Sequence, residues 1–333
     1  ATGGIGKAWR ITSNSWEYTG DGHSMAYQAG ADLLDMEFVQ FHPTGMVWPP
    51  SVRGILITEG VRGEGGVLKN SKDERFMFRY VPEVNKGEYA ESEEETREWL
   101  HQTELNQAGK LKDVTARRPP ELLTRDVVAK AINKEVKEGR GSPHGGVFLD
   151  VASQRTAEEI QRKLPSMYHQ FKELAGVDIT KEPMEVGPTC HYVMGGIRVD
   201  ADTAAATIPG LYAAGESAAG LHGANRLGGN SLSDLLVFGR RAGRFAARAA
   251  KALPAMPELD DSELEGFVQG IAAPLEREEG ESPFEVHKTL QTVMEAHVGI
   301  IRNRAELEKG LAELAKLKAR TSRVKATGTR VFN

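Results

Sequence analysis

Cysteine is nearly absent from this sequence, since Cys190 is the only one among 333 residues. A single cysteine excludes an internal disulfide framework, is typical of a reducing compartment, and cannot hold an iron–sulfur cluster, which needs several thiolates. Long apolar runs are lacking too, because no stretch approaches the roughly 18 residues that a membrane-spanning helix needs. The nine histidines show no ligand spacing, so no metal site is predicted. Any attachment to a membrane would therefore run through a partner.

A strong charge of either sign is also lacking, because the formal net charge is only −5. This mild balance gives no indication of a nucleic-acid surface. With 40% apolar and 27% charged residues, the chain has the composition of a soluble globular protein. The sequence opens at Ala1 without an initiator methionine or signal peptide and closes at Asn333 without a helix cap. We therefore expect an internal fragment of a longer protein with two or three domains.

Helical patterns are present in three parts of the chain. Apolar residues at helical spacing predict one helix over residues 120–138 and another over residues 231–252. Near the C-terminus, a capping box at Ser282 and a similar start at Asn303 predict an antiparallel helical hairpin. The glutamate-rich stretch 91–99 is typical of a solvated helix face or loop, and we assign no function to it.

The glycine-rich segments contain most of the candidate binding and catalytic residues. Taken singly, each is a weak signal, because a turn with a local cap or a surface ion pair explains it equally well. Together they contain histidines and arginines without a matching set of carboxylates. The residues in question are His42, Arg62, Arg125, His191 and Arg226. Such a set suits a small dianion, because arginine binds carboxylates through two parallel, charge-assisted hydrogen bonds.

Seven strings, read in order, resemble the flavoprotein subunit of the succinate dehydrogenase and fumarate reductase family. They are TGDG, FHPTG, TEGVRGEGG, LLTRDVVAKAI, HYVMGGI, LYAAGE and HGANRLGGNSL, and they cover residues 1 to about 250. The resemblance implies an α/β protein (α+β overall), with a partial, Rossmann-like FAD-binding domain, an inserted capping domain and a truncated C-terminal helical domain. It places the FAD-binding domain at residues 1–40 and 190–252, the capping domain at 41–189 and the helical domain at 253–333.

The resemblance also implies roles for individual residues. Arg125 would transfer the proton, with Glu59 and Arg62 as its relay. His42 and Thr58 would bind one substrate carboxylate, and His191 and Arg226 the other. Glu216 would bind ribose hydroxyls, and the helix that begins near Ser231 would point its N-terminus at the flavin. The full set of implied FAD contacts is Ala1, Thr2, Gly3, Gly4, Asp21, Glu216, Asn230, Ser231 and Leu232.

The implied reaction interconverts succinate and fumarate by hydride transfer to or from N5 of FAD. The first implied partner is an iron–sulfur subunit. Membrane-anchor subunits and quinone would follow it, as in respiratory complex II and the tricarboxylic acid cycle. Localisation would be peripheral, at the cytoplasmic face of the inner membrane. The family's N-terminal glycine fingerprint and its covalent-flavin histidine are missing from this sequence, so the fragment alone is expected to lose FAD and to be inactive.

Two other functions remain open at this point. L-aspartate oxidase shares most of these strings, although Gly228-Gly229 and the TRD string at 124–126 favour the dehydrogenase branch. A non-enzymatic alternative is a folding or assembly module of a larger subunit. Turnover of succinate against L-aspartate by the full-length protein would distinguish the dehydrogenase from the oxidase. Succinate-dependent dye reduction that returns when the missing N-terminal region is added would exclude the assembly module.

Overall fold

The computed structural model describes residues 1–328 of the chain. They fall into two compact units. Unit 1 contains Ala1–Arg10, Asn14–Val39 and the chain from Tyr192 onward, whereas unit 2 contains Ile11–Ser13 and Gln40–His191. The assignment of flavin, capping and helical domains to particular ranges stays a prediction.

Both units contain helices and strands. The helices are α1 Asp21–Gln28, α2 Gly60–Gly63, α3 Glu93–Gln107, α4 Arg125–Lys137, α5 Ala157–Lys163, α6 Pro165–Ala175, α7 Asn230–Ala252, α8 Asp261–Glu276, α9 Pro283–His297 and α10 Arg304–Thr321. The strands are β1 Leu33–Leu34, β2 Val39–Met46, β3 Val67–Lys69, β4 Val147–Asp150, β5 Met184–Val193, β6 Gly196–Arg198 and β7 Ala218–Ala219. The mixed α/β class predicted from the sequence is confirmed. Among residues 1–328, no helix has both the length and the apolar character needed to cross a bilayer.

Unit 2 is built on a four-stranded sheet in the order β2-β5-β4-β3. The β3–β4 and β4–β5 pairs are antiparallel, with Leu68 opposite Leu149 and Val147 opposite Val186. These side chains are fully or almost fully buried in one apolar core, which also contains Val128 and Ile132 of α4. The apolar face of α4 therefore fixes this helix, and its first residue, against the rest of unit 2.

The predicted helix over residues 120–138 is confirmed in its body and wrong at its start. Pro120–Leu122 form a separate 3-10 turn, and Leu123 and Thr124 are extended, so α4 begins only at Arg125. Pro120, at the first position of the 3-10 turn, fixes φ there, and extended backbone at Leu123 and Thr124 separates this turn from the helix. Arg125 consequently occupies the first helical position.

Unit 1 contains a small sheet in the order β1-β6-β7 and the longer helices. Strand β6 pairs antiparallel with β1 and parallel with β7, and Ile197 lies opposite both Leu33 and Ala218. The prediction for residues 231–252 is confirmed by α7, which Gly229 precedes in the left-handed conformation at φ +83°. A glycine is required there because other residues are strained at that φ.

The predicted C-terminal hairpin corresponds to α9 and α10, which pack against each other. Asn303 caps α10 by accepting a hydrogen bond from the Glu306 amide at 3.0 Å, as predicted. The predicted capping box at Ser282 is wrong, because its side chain makes no hydrogen bond to the helix. Pro283 favours the start of α9 instead, because its φ is fixed near the helical value.

Candidate functional site

His42 is buried in strand β2, with only 1% of its surface exposed. Its Nδ1 atom faces the backbone of Thr44, at 3.3 Å from the amide nitrogen and 3.2 Å from the carbonyl oxygen. Burial, and then the charges of Arg62 and Arg125 and the nearby His191 ring, lower the pKa of His42 to about 2. The imidazole is therefore neutral at physiological pH and presents one N–H donor and one acceptor.

Glu59 holds two arginines with one carboxylate oxygen. Its Oε2 atom lies 3.6 Å from Nη2 of Arg62 and 3.6 Å from Nε of Arg125. Glu59 and Arg62 are brought to the same side because α2 is a helical turn and the two residues are three positions apart. Two cations and one anion leave a net positive charge at this point of unit 2.

Arg62 is a fully buried guanidinium, with a side chain that is 1% exposed. Its Nη1 atom donates to the carbonyl oxygen of Glu121. Among residues 1–328, its Nε and Nη2 atoms have no hydrogen-bond partner, although Nη2 forms the ion pair with Glu59. Burial, as the largest cause, lowers the pKa of Arg62 to about 10, and Arg125 lowers it further while Glu59 opposes this. The neutral form of a guanidine is thus less costly here than in water.

Arg125 lies at the N-terminus of α4, where the helix dipole disfavours a cation. Two contacts offset this. Nη1 donates to Oε1 of Gln40 at 3.2 Å, and Nε forms the ion pair with Glu59. Gln40 is 3% exposed and lies two residues before His42 on β2. Since residues two apart share one face of a strand, β2 supplies both the histidine and the amide that orients Arg125.

His191 lies in β5 and is fixed from the N-terminal segment of unit 2. Its Nδ1 atom is 2.8 Å from Oγ of Ser13, and its ring is 5.6 Å from that of His42. Thr58 is exposed, and its Oγ1 atom accepts from the amide of Gly60 at 3.3 Å. The predicted substrate and proton-transfer residues of unit 2 are thereby placed: His42, Thr58, Glu59, Arg62, Arg125 and His191. Arg226 lies in unit 1.

Arg226 is 5% exposed and packs over an aromatic ring. Its guanidinium lies 4.4 Å from the ring centroid of Tyr192, and Nη1 donates to the carbonyl oxygen of Leu227 at 3.3 Å. The Tyr192 ring also meets His222 edge to face, and His222 Nε2 is 3.6 Å from Oδ2 of Asp234 on α7. The position of Arg226 is therefore defined by an aromatic platform and by the start of α7.

The predicted FAD contacts lie in four separate segments of unit 1, and three of these segments contact one another. The Thr2 amide donates to Oγ of Ser217 at 3.0 Å, and the Gly22 amide donates to Oγ1 of Thr2 at 3.1 Å. Gly4 lies so close to Glu216 that a Cβ on this glycine would fall 2.3 Å from Oε1 of the carboxylate. Asp21 is the first residue of α1, next to Gly22. A loop without side chains beside a buried carboxylate is what a closely approaching nucleotide needs.

Glu216 is 9% exposed and accepts a hydrogen bond from the amide of Val193 at 3.0 Å. Burial raises its pKa to about 7, against the opposing effects of the Val193 amide and the Arg226 charge. The first turn of α7 holds Asn230, Ser231 and Leu232, and no side chain caps it. A 23-residue helix with uncapped amides favours a negative group at its N-terminus. These residues fit the ribose and the flavin ring of FAD.

Gln40, Ser13 and Ser217 were not predicted from the sequence. Gln40 could have been found, because it alternates with His42 along one strand. Ser13 and Ser217 carry no local signal, since each contacts a residue more than 170 positions away.

Known proteins match the whole length of the chain. The model of the FAD binding domain family matches residues 1–232, and the model described as fumarate reductase flavoprotein C-term matches residues 287–333. One relative is a subunit of the CoM/CoB fumarate reductase of Methanothermobacter marburgensis, and it is 42% identical over 100% of this chain and 53% of its own length. The succinate dehydrogenase flavoprotein subunit of Coxiella burnetii is 38% identical, over 100% of this chain and 52% of the relative.

A solved structure agrees with these relatives. Mycobacterium smegmatis Sdh1 in complex with UQ1 superposes with a TM-score of 0.80 at 57% identity, covering 100% of this chain and 49% of that one. The chain thus spans about half the length of the curated relatives it matches.

Proposed function

Because this chain belongs to the family of succinate dehydrogenase and fumarate reductase flavoprotein subunits, we propose that it carries the dicarboxylate-binding and proton-transfer residues of an enzyme that interconverts succinate and fumarate. The observation that supports this most directly is the shared Glu59 carboxylate, 3.6 Å from both Arg62 and Arg125, in the same unit as the neutral His42.

Binding of the substrate would use neutral and charged donors together. We propose that the N–H of His42 and the hydroxyl of Thr58 donate to one carboxylate. A carboxylate at Nε2 selects the His42 tautomer in which Nδ1 accepts from the Thr44 amide. We propose that His191 and Arg226 bind the other carboxylate, as the resemblance implies. The net positive charge around Glu59 adds a favourable electrostatic interaction with a dianion.

Proton transfer would use Arg125. An arginine is an unlikely base in water, because its pKa exceeds about 12. Burial lowers the pKa of its neighbour Arg62 to about 10, so a neutral guanidine is less costly at Arg62 than in water. We propose that Arg125 takes the proton that succinate loses, and that its own Nε proton passes to Oε2 of Glu59, 3.6 Å away. Gln40 orients Arg125 for this step.

FAD, when bound, supplies the redox chemistry by taking up or returning a hydride at N5. We propose that Gly4 and Glu216 contact its ribose. We propose that the remaining contacts with FAD on that side come from Ala1, Thr2, Gly3 and Asp21. The first turn of α7 would stabilise negative charge on the ring by about 0.3–2 kcal/mol.

The 333 residues of this chain contain one cysteine, which is too few to hold an iron–sulfur cluster. We propose that the direct acceptor is an iron–sulfur subunit, with quinone and membrane-anchor subunits beyond it. We also propose a peripheral location at the cytoplasmic face of the inner membrane. The solved complex of Mycobacterium smegmatis Sdh1 with UQ1 supports a quinone-linked assembly by analogy.

The test is turnover by the full-length, FAD-loaded protein. Succinate is expected to reduce an artificial dye, whereas L-aspartate is not, and turnover of L-aspartate alone would favour the oxidase instead. Arg125→Lys is expected to lower kcat by about 10²- to 10⁴-fold, the usual contribution of a proton-transfer group. Arg79→Lys, a half-exposed arginine in the same unit, is the matched control. Full activity of Arg125→Lys would show that Arg125 does not transfer the proton.

A further inference from the structure

Arg226 lies in a glycine-rich loop of unit 1 that is mostly exposed. The loop contains residues 220–229, and we refer to it as the Arg226 loop. Four of its ten residues are glycines, and three of these have positive φ. Only His222 and Arg226 are not exposed in it. The position of Arg226 therefore depends on what these two side chains contact.

His222 connects the Arg226 loop to helix α7. Its Nε2 atom is buried and lies 3.6 Å from Oδ2 of Asp234, and it makes no shorter hydrogen bond among residues 1–328. Both side chains are less than 10% exposed, and Asp234 lies one turn after Asn230, the first residue of α7. Burial lowers the pKa of His222 and raises that of Asp234, whereas the attraction between the two groups opposes both shifts. Buried carboxylates are rare unless they are paired, so this contact fixes the loop against α7.

Tyr192 provides the second connection between Arg226 and α7. Its hydroxyl group hydrogen-bonds with the carboxylate of Asp234 and with the side chain of Ser231. The guanidinium of Arg226 lies over its ring, 4.4 Å from the centroid, and the His222 ring meets it edge to face at 5.4 Å. The ring is thus held at its hydroxyl by α7 and supports Arg226 on its face.

We propose that Asp234 is a positioning residue for substrate binding, because it fixes the Arg226 loop through His222 and Tyr192 and thereby orients the Arg226 guanidinium. This inference rests on the proposed function, in which Arg226 binds a substrate carboxylate. Arginine binds a carboxylate best through two parallel hydrogen bonds, which require a defined guanidinium plane. Without these contacts the loop would have to be ordered when substrate binds, and this ordering would weaken binding.

Succinate turnover by the full-length, FAD-loaded holoenzyme tests the proposal. Asp234→Ala removes both contacts, and it is expected to raise KM for succinate about ten-fold, the effect of weakening one charge-assisted hydrogen bond. The value of kcat should change little, because Arg226 binds substrate and transition state alike. Asp234→Asn removes the charge but keeps an oxygen that accepts from Tyr192, so it should recover most of the affinity. Asp261→Ala, at an exposed acidic residue of α8, is the matched control.

A double-mutant cycle separates positioning from a general loss of structure. Arg226→Ala should itself raise KM, and Asp234→Ala should add little in that background, because its effect acts through Arg226. Additive effects on KM, or a wild-type KM in Asp234→Ala, would overturn the positioning role and leave the proposed function intact. If Arg226→Ala itself keeps the wild-type KM, the proposed role of Arg226 is wrong, and the positioning role with it.

Tyr192→Phe decides if the flavin absorbance shows that Asp234→Ala does not retain FAD. This variant removes the hydroxyl that contacts α7 and keeps the ring beneath Arg226. An increase in KM that is absent in the Arg226→Ala background supports the proposal. A wild-type KM, or an increase that is additive with Arg226→Ala, overturns it.

Discussion

A single carboxylate keeps two arginines together in unit 2. Arg62 and Arg125 would repel each other, and this repulsion is one reason for the lowered pKa of Arg62. Glu59 offsets it through ion pairs with both. Removal of the carboxylate leaves a buried, uncompensated charge on Arg62, which is among the more costly changes a protein can undergo. Glu59 therefore has a part in stability as well as in proton transfer.

His42 makes the stability of the protein depend on pH. In the folded state its pKa is about 2, so it stays neutral. In the unfolded chain a histidine takes up a proton below pH ~6.5. Unfolding below that pH therefore binds a proton, and the free energy of unfolding falls by about 1.4 kcal/mol per pH unit as the pH decreases.

The change His42→Gln is expected to remove this contribution. Between pH 7 and pH 5, the decrease in the free energy of unfolding should be smaller in the variant by about 2 kcal/mol. Denaturant unfolding at the two pH values measures it. His169→Gln, on the exposed surface of α6, is the control. An unchanged slope in His42→Gln would show that the pKa of His42 is not lowered in the folded protein.

Glu216 is expected to make FAD binding depend on pH. A ribose hydroxyl donates best to an ionised carboxylate, and burial raises the pKa of Glu216 to about 7. Only about one tenth of a group with that pKa is ionised at pH 6, so the affinity should be roughly ten-fold lower at pH 6 than at pH 8. Quenching of FAD fluorescence by the full-length protein measures Kd. The variant Glu216→Gln should bind more weakly with a flat pH profile, and a profile as steep as wild type would contradict the assignment.

Helices could be predicted better than strands. The bodies of α4 and α7 follow from apolar spacing within their own sequence, because a helix forms its hydrogen bonds locally. Strands β1 and β7 have two residues each and exist only because β6 pairs with both. No sequence window contains that information. Site residues within the family strings could be predicted, because each string is local in the sequence. Ser13 could not, because its contact with His191 joins residues that are far apart in the chain.

The backbone at the start of β7 leaves no room for a side chain at the first residue of β6. A Cβ on Gly196 would fall 2.5 Å from the carbonyl oxygen of Ser217, which is too close for any packing. Gly196→Ala is therefore expected to lower the free energy of unfolding by about 1–3 kcal/mol, the usual cost of overpacking.

A helix glycine in the same unit is the matched control. Apart from the two adjacent residues and the helix's own backbone, no atom lies within 4 Å of the position that a Cβ on Gly243 of α7 would occupy, so Gly243→Ala should raise the stability by up to about 1 kcal/mol. Thermal unfolding of both variants measures the contrast. Equal effects of the two substitutions would contradict the close approach at β6.

The two units differ in the size of their apolar cores. Unit 2 has one large core with several completely buried large side chains, including Phe76, Leu149 and Met184. In unit 1, the cluster at the small sheet and the one that includes Ala242 of α7 have buried members that are alanines, with Ile197 as the one larger residue. Large apolar residues such as Leu236 and Phe267 are exposed on α7 and α8. Less apolar area is therefore removed from water in the small sheet of unit 1.

Hydrogen exchange is expected to reflect this difference between the units. Amides in β3 and β4 should exchange slowly, because they open only when the large core opens. Amides in β1 and β6 should exchange faster, because their sheet covers a small core. Mass spectrometry of deuterium uptake in peptides from each sheet measures this. Equal protection of the two sheets would show that core size does not set their local stability.

Strand β2 also determines which changes in length the protein tolerates. Gln40 and His42 are two residues apart on one buried face, so about 7 Å of extended chain separates the group that orients Arg125 from the proposed carboxylate ligand. An insertion or deletion of one residue between them would turn one of the two side chains to the opposite face. Natural or engineered variants that accept a dicarboxylate of another size should therefore differ by substitutions around β2. The length and register of β2 should remain unchanged.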